Sequence, residues 1–194
     1  MFRSCPRPQD CDTLRPVQVH IMKKSVFLAA TALFVLSPAV VSAAPVKTAL
    51  FGFEFFDDTL DTRPQVLAEQ AERLKRINGE LEALLAQSGD MTLVDLAPEA
   101  ARIADLAPFY KCNGCEREIA RDAGARLEVV GVIRKISNLI LSFVLEVRET
   151  GEDGRVLRAG QVDIRGNTDE SWLRGVRYLV KNRILAPGQP PLDP

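Results

Sequence analysis

The sequence predicts an α/β (α+β) fold: a mixed sheet of about five strands, met in the order β-α-β-α-α-β-β-β-α, with the helices mostly on one face. Three observations carry this. Arg126 to Trp172 holds three consecutive strand-like runs whose links are too short for a parallel crossover, so they read as an antiparallel meander. A long helical stripe between Arg63 and Ser88 separates two earlier strand-like runs, the pattern of a parallel βαβ unit. A last amphipathic helix follows the meander.

Val46 to Phe56 (VKTALFGFEFF) is the opening strand, with Leu50, Gly52 and Glu54 alternating against Ala49, Phe51, Phe53 and Phe55. Pro64 then suits the first turn of a helix, where its missing N–H costs nothing. Leu67, Ala71, Leu74, Ile77, Leu81, Leu84 and Leu85 recur at helical spacing and form the stripe expected to face the sheet. Ser88-Gly89-Asp90 ends this helix, and Met91 to Leu96 is a short second strand. Pro98 to Leu106 reads as a weak helix, and Cys115 to Ala123 as a short one closed by Gly124.

Leu127 to Ile133 carries apolar residues on both faces, the mark of a central strand covered on both sides. In the next run Leu139, Leu141, Phe143, Leu145 and Val147 alternate with Ile140, Ser142, Val144, Glu146 and Arg148. That second face begins apolar and ends charged, as expected of a strand leaving the body of the domain. Glu152-Asp153-Gly154 is a turn signal, and Val156 to Ile164 returns as the last strand. The final helix, about Thr168 to Leu185, has Asn167 or Thr168 as cap and Trp172, Val176, Leu179 or Val180, and Ile184 as its inward stripe.

Met22-Lys23-Lys24 followed by SVFLAATALFVLSPAVVSAA has the basic start, apolar run and small-residue exit of a secretory signal. Residues 22–44 are therefore expected to be a cleaved leader, and 1–21 an extension ahead of the true start at Met22. A single domain over 45–187 and a flexible tail over 188–194 complete the expected organisation, with the protein in the periplasm and no membrane span after cleavage. No Cys stands at the cleavage site, which argues against a lipid anchor. Beyond Ala44 the chain carries 20 basic and 24 acidic side chains, a formal charge of −4, and gives no reason to expect nucleic acid as a partner. The one histidine, His20, lies before the leader. A processed chain without imidazole builds neither a Ser/His/Asp nor a Cys/His nucleophile, nor a His-bearing metal site, so no enzyme and no cofactor is expected.

ALFGFE before a long helix, and the unit AGARLEVVG leading into a hairpin, resemble in topology the amino-terminal domain of TolB and the periplasmic domain of the curli secretion-channel subunit. NGCEREIARDAGA, VIRKISNLIL and VDIRGNTDESWLRGVRYLVKNRI resemble, over nearly all of the processed chain, an uncharacterised family of exported proteobacterial proteins. What these resemblances imply is binding and assembly with other envelope proteins, not turnover.

Three constellations are candidates for chemistry. Cys112-Asn113-Gly114-Cys115 leads a helix and holds the last two thiols of the chain. A structural disulfide closing so short a loop removes about 2 kcal/mol of unfolded-state entropy and pins the loop to the helix. The alternatives are a thiol–disulfide exchange site, favoured by a helix N-terminus, or a thiolate metal site completed by carboxylates. Against exchange, a thioredoxin-like pair follows a strand and faces a cis-proline loop, whereas no proline lies between Cys112 and Leu185. Covalent haem is excluded because Glu116 stands where that attachment requires histidine. Glu54, Asp57, Asp58 and Asp61 form an acidic loop at a strand end, a place where α/β folds bind ligands, and the one route to a carboxylate-only hydrolase. Arg165, Arg174, Arg177 and Lys181 are a candidate basic edge for an acidic partner surface.

Overall fold

Along the chain come β1 (Val46–Asp57), α1 (Pro64–Gln87), β2 (Met91–Leu93), α2 (Ala100–Leu106), α3 (Glu116–Asp122), β3 (Leu127–Lys135), β4 (Ile140–Glu149), β5 (Val156–Arg165) and α4 (Asp169–Leu179). The structure is a computed structural model that describes residues 44–192; the extension 1–21 and the leader up to residue 43 lie outside the described residues. The strands form one sheet in the spatial order β2-β1-β3-β4-β5. β1 is parallel to both β2 and β3, while β3, β4 and β5 run antiparallel in turn. This is the predicted mixed five-stranded sheet in the predicted element order, with the apolar run β3 at its centre.

α1 and α4 lie together on one face. Their stripes, Ile77, Leu81 and Leu85 from α1 and Trp172, Val176 and Leu179 from α4, close over Leu127, Val129, Ile133, Leu141, Phe143, Leu145 and Val147. Each fully buried aliphatic side chain here contributes about 2 kcal/mol relative to exposure. Trp172 stacks on Phe55 at 5.6 Å between ring centres, meets Phe143 edge-on at 5.7 Å, and donates its indole N–H to Asn167 Oδ1 at 2.8 Å. α4 starts with a reciprocal cap: the Ser171 N–H donates to Thr168 Oγ1 and the Thr168 N–H to Ser171 Oγ. Past Leu179 the helix widens into a π turn over Val180–Ile184, closed by the Leu185 N–H on the Val180 carbonyl.

Three local expectations are corrected. The inward stripe of α1 does not start at Leu67 and Ala71, which are exposed; Val66 and buried Gln70 take those turns, because the stripe drifts around the helix toward its N-terminus. β2 stops at Leu93, since only Val46, Lys47 and Thr48 are there to pair with it. Beyond Pro187, Gly188, Pro190 and Pro191 are exposed, while Leu192 is buried and Arg158 donates to the Pro190 carbonyl.

The third concerns β1. Leu50 pairs with Val129 and Gly52 with Val130, so Phe51 is an extra residue and the alternation breaks. Phe51 therefore faces the side opposite α1, as do Glu54 and Phe56 after the bulge, while Phe53 and Phe55 point into the main core. Gly52 has φ +78°, open to glycine at no steric cost, and a Cβ there would sit 2.9 Å from Asn78 Oδ1. Asn78 of α1 fills this gap: its Oδ1 accepts from the Phe53 N–H at 2.7 Å and its Nδ2 donates to the Phe53 carbonyl at 3.0 Å. Those two backbone groups lie beyond the short β2 and would otherwise be unpaired.

Candidate functional site

The face opposite α1 and α4 is covered over only part of its area. α3 packs Ala120 on Ala49 and Ala125, with Phe51, Val94 and Leu96 around them. Ahead of α3, residues 107–115 form an arch whose Ala107–Pro108 peptide is cis. Glu54 holds the arch down, its two carboxylate oxygens accepting from the Phe109 N–H at 2.7 Å and the Tyr110 N–H at 2.9 Å. Phe109 meets Phe51 edge-on at 5.0 Å, and Tyr110 meets Phe56 at 5.5 Å.

Between arch and sheet lies a cleft of about 400 Å³. Val130, Val132 and Val144, all half-buried, form its floor; Phe51, Phe109 and Tyr110 line one wall. Glu116, Glu146 and Arg148 line the other, and the Cys112–Gly114 turn forms the rim. The charged end of β4 thus does not leave the domain, as its sequence suggests. Pairing of β4 with β3 sets Glu146 opposite Val130 and Arg148 opposite Glu128, under α3. Arg148 Nη1 donates to Glu116 Oε1 at 3.2 Å and Arg148 Nε to Glu146 Oε2 at 2.8 Å.

Deeper still, Glu128 is fully buried and neither of its oxygens has a hydrogen-bond partner among the described residues; Arg117 Nε stands 3.8 Å away. Burial, joined by the Glu116 carboxylate, pushes the Glu128 carboxyl up to about 7 against the pull of Arg117, Arg148 and Arg121. Arg117 is fixed from the other side by the β4–β5 turn, donating to the Glu152 carbonyl at 3.0 Å.

Cys112 and Cys115 are joined by a disulfide with Cα atoms 5.8 Å apart, just ahead of α3. The Glu116 carboxylate lies 3.9 Å from Cys112 Sγ. Both sulfurs and Glu116 come within 4.8 Å of one another, but sulfurs bonded to each other are not thiolate ligands.

The acidic loop is assembled as ion pairs. Lys135, fully buried at the end of β3, reaches Asp57 Oδ2 at 2.9 Å and Asp61 Oδ2 at 4.0 Å. Burial pushes Asp57 up, but hydrogen bonds from Thr59 and Lys135 outweigh it and leave the carboxyl below its ordinary value. Arg63 holds Asp61 well below the usual carboxylate range, and Asp58 pairs with Arg134. Glu54 alone of the four faces the cleft.

The basic residues are likewise spread. Arg177 Nε bonds Glu80 of α1 at 2.6 Å, and Arg174 stands 3.6 Å from Glu170 on its own helix. Strand alternation puts Arg165 on the other side of the sheet from α4, since its neighbour Ile164 packs on Gly175. Lys181 is exposed on the π turn.

Glu146 and Arg148 stand two apart on β4, but Glu116 joins them from α3 and Val130 and Val132 from β3, so the set is not assembled in the sequence. Their single trace in the sequence is the change from apolar to charged along one face of β4. Among the described residues no helix is long and apolar enough to cross a membrane.

No curated protein matches the chain. Among solved structures it is similar to the LpoB C-terminal domain from Salmonella enterica, at 16% identity and a TM-score of 0.40 over 65% of this chain and 87% of that one. It is similar to PelC, a dodecamer from Paraburkholderia phytofirmans, at 11% identity and 0.44 over 72% and 89%. Lipoprotein GNA1162 from Neisseria meningitidis gives 12% and 0.40 over 70% and 94%. Similarity at this level assigns no role to any residue. The family DUF3280, described as "Protein of unknown function (DUF2380)", matches residues 46–184, from the first residue of β1 through the π turn. The chain belongs to this family, whose span takes in the whole sheet, all four helices and every residue of the cleft.

Proposed function

We propose that the protein is an exported, non-enzymatic interaction protein of the cell envelope and that it receives its partner in the cleft under the 107–115 arch. One observation carries this reading: an apolar floor of Val130, Val132 and Val144 is framed by polar groups already held in place. Glu54 is held by backbone N–H groups, and Glu116 and Glu146 share Arg148. Such a frame orients a guest and fixes its register, and offers no poised nucleophile. Export is supported by the leader-like segment ahead of Ala44 and by the Cys112–Cys115 disulfide, which belongs to an oxidising compartment. In this reading the disulfide is a structural staple that holds the arch against α3.

The test is site-specific photo-crosslinking in living cells. A photoreactive residue in place of Val132 is expected to give a discrete adduct with an envelope protein, while the same residue at Lys75, exposed on α1, does not. Val144→Arg, which fills the floor with a charge, is expected to abolish that adduct. No adduct from Val132, or identical adducts from both positions, would remove the cleft as the binding site.

A further inference from the structure

Glu116 and Glu146 reach Arg148 from two different elements, α3 and β4, and each spends one oxygen on it. Arg148 Nη1 donates to Glu116 Oε1 at 3.2 Å; Arg148 Nε donates to Glu146 Oε2 at 2.8 Å, and Nη2 to that same oxygen. Glu146 Oε1 makes no hydrogen bond among the described residues. Glu116 Oε2 has only Cys112 Sγ beside it, at 3.9 Å, and a disulfide sulfur has no proton to donate. Glu116 is 2% exposed and lines the cleft, so this acceptor is buried without a donor among the described residues. The lining sets three carboxylates, Glu54, Glu116 and Glu146, against one guanidinium. The polar wall therefore keeps a net negative charge above an apolar floor.

We propose that the cleft recognises a basic side chain, arginine or lysine, carried on an apolar segment of the partner polypeptide. The guest cation donates to Glu116 Oε2 and Glu146 Oε1, and the apolar groups beside it lie on Val130, Val132 and Val144. Charge complementarity selects this guest over an acidic one, which would bring like charge against three carboxylates. The inference rests on the cleft-binding reading above and adds the chemistry of what is bound.

Three capped tripeptides test it on the purified protein: acetyl-Leu-Arg-Leu-amide, its citrulline counterpart, which is neutral and nearly isosteric with arginine, and its glutamate counterpart. Binding is followed by the NMR amide shifts of Val130, Val132 and Val144. The arginine peptide is expected to bind at least about tenfold more tightly than the citrulline peptide, as a charge-assisted bond exceeds a neutral one. Its advantage is expected to shrink as salt is raised, and Glu146→Gln is expected to weaken it about tenfold. Equal binding of the arginine and citrulline peptides overturns the proposal, as does the absence of cleft shifts with the arginine peptide at its solubility limit. Should the Val132 adduct form in cells while the peptides show no charge preference, this inference fails alone. Should no adduct form, the binding reading fails as well.

Discussion

Glu128 combines zero exposure, two oxygens without a partner and an arginine that stops 3.8 Å short. An acid whose folded pKa is raised binds more protons folded than unfolded, so its stabilising contribution is complete below the unfolded value, near 4.5, and is lost as pH rises toward about 7. The shift corresponds to a loss of about 3 kcal/mol at most. The paired acids Asp57, Asp61, Glu149 and Asp169 are shifted down, so their effects fall at lower pH and carry the opposite sign. Urea unfolding at pH 5 and pH 8 separates the two. The wild type is expected to lose about 1–3 kcal/mol between these pH values relative to Glu128→Gln, which keeps the shape and removes the charge. Parallel profiles for the two proteins would mean that Glu128 finds a donor in solution. Nothing in the sequence singles out Glu128: it sits in an apolar run, and its environment is made by Arg148 across the strand and Arg117 on another element.

Among the elements, β1 was the least legible, although its existence and direction were plain. Period-two alternation cannot register an inserted residue, so it puts Phe51 beside Phe53 where the bulge sets them on opposite faces. The only sequence trace is Gly52 inside a strand pattern. The bulge is also what turns Glu54 toward the arch, so the geometry of the site depends on it. Gly52→Ala forces a side chain into φ +78° and onto Asn78, and Asn78→Ala leaves the Phe53 N–H and carbonyl unpaired. Each is expected to cost about 2 kcal/mol. Because both damage the same contact, the double variant is expected to cost less than the sum. Chemical denaturation of the four proteins of this cycle reads the coupling; full additivity would place Asn78 outside the bulge. β4, β5 and α4 are legible because each buries a stripe of fixed period, and β3 because its apolar residues lie on both faces. β2 was overextended because a strand's length is set by what it pairs with, and its partner residues are not adjacent in sequence.

At the scale of the whole molecule the staple between Cys112 and Cys115 acts locally. It closes a loop of four residues, worth about 2 kcal/mol in the chain-entropy picture, while the core contributes through many buried side chains. The double substitution Cys112→Ser/Cys115→Ser is expected to leave the sheet folded and lower its stability by about 2 kcal/mol or less. Hydrogen exchange is expected to speed up in residues 107–115 and to stay unchanged in β3 and β4. Global unfolding of the variant would instead make the arch a keystone of the fold.

Thr48 pairs with Leu127, so β1, the first strand of the described residues, lacks its main neighbour until more than half of the described chain has followed it. Over that interval the stretch VKTALFGFEFF shows five aromatic and leucine side chains with Glu54 and Gly52 as their interior interruptions. Termination before β3 is therefore expected to release an aggregation-prone fragment, because this stretch is then left without the strand that covers it.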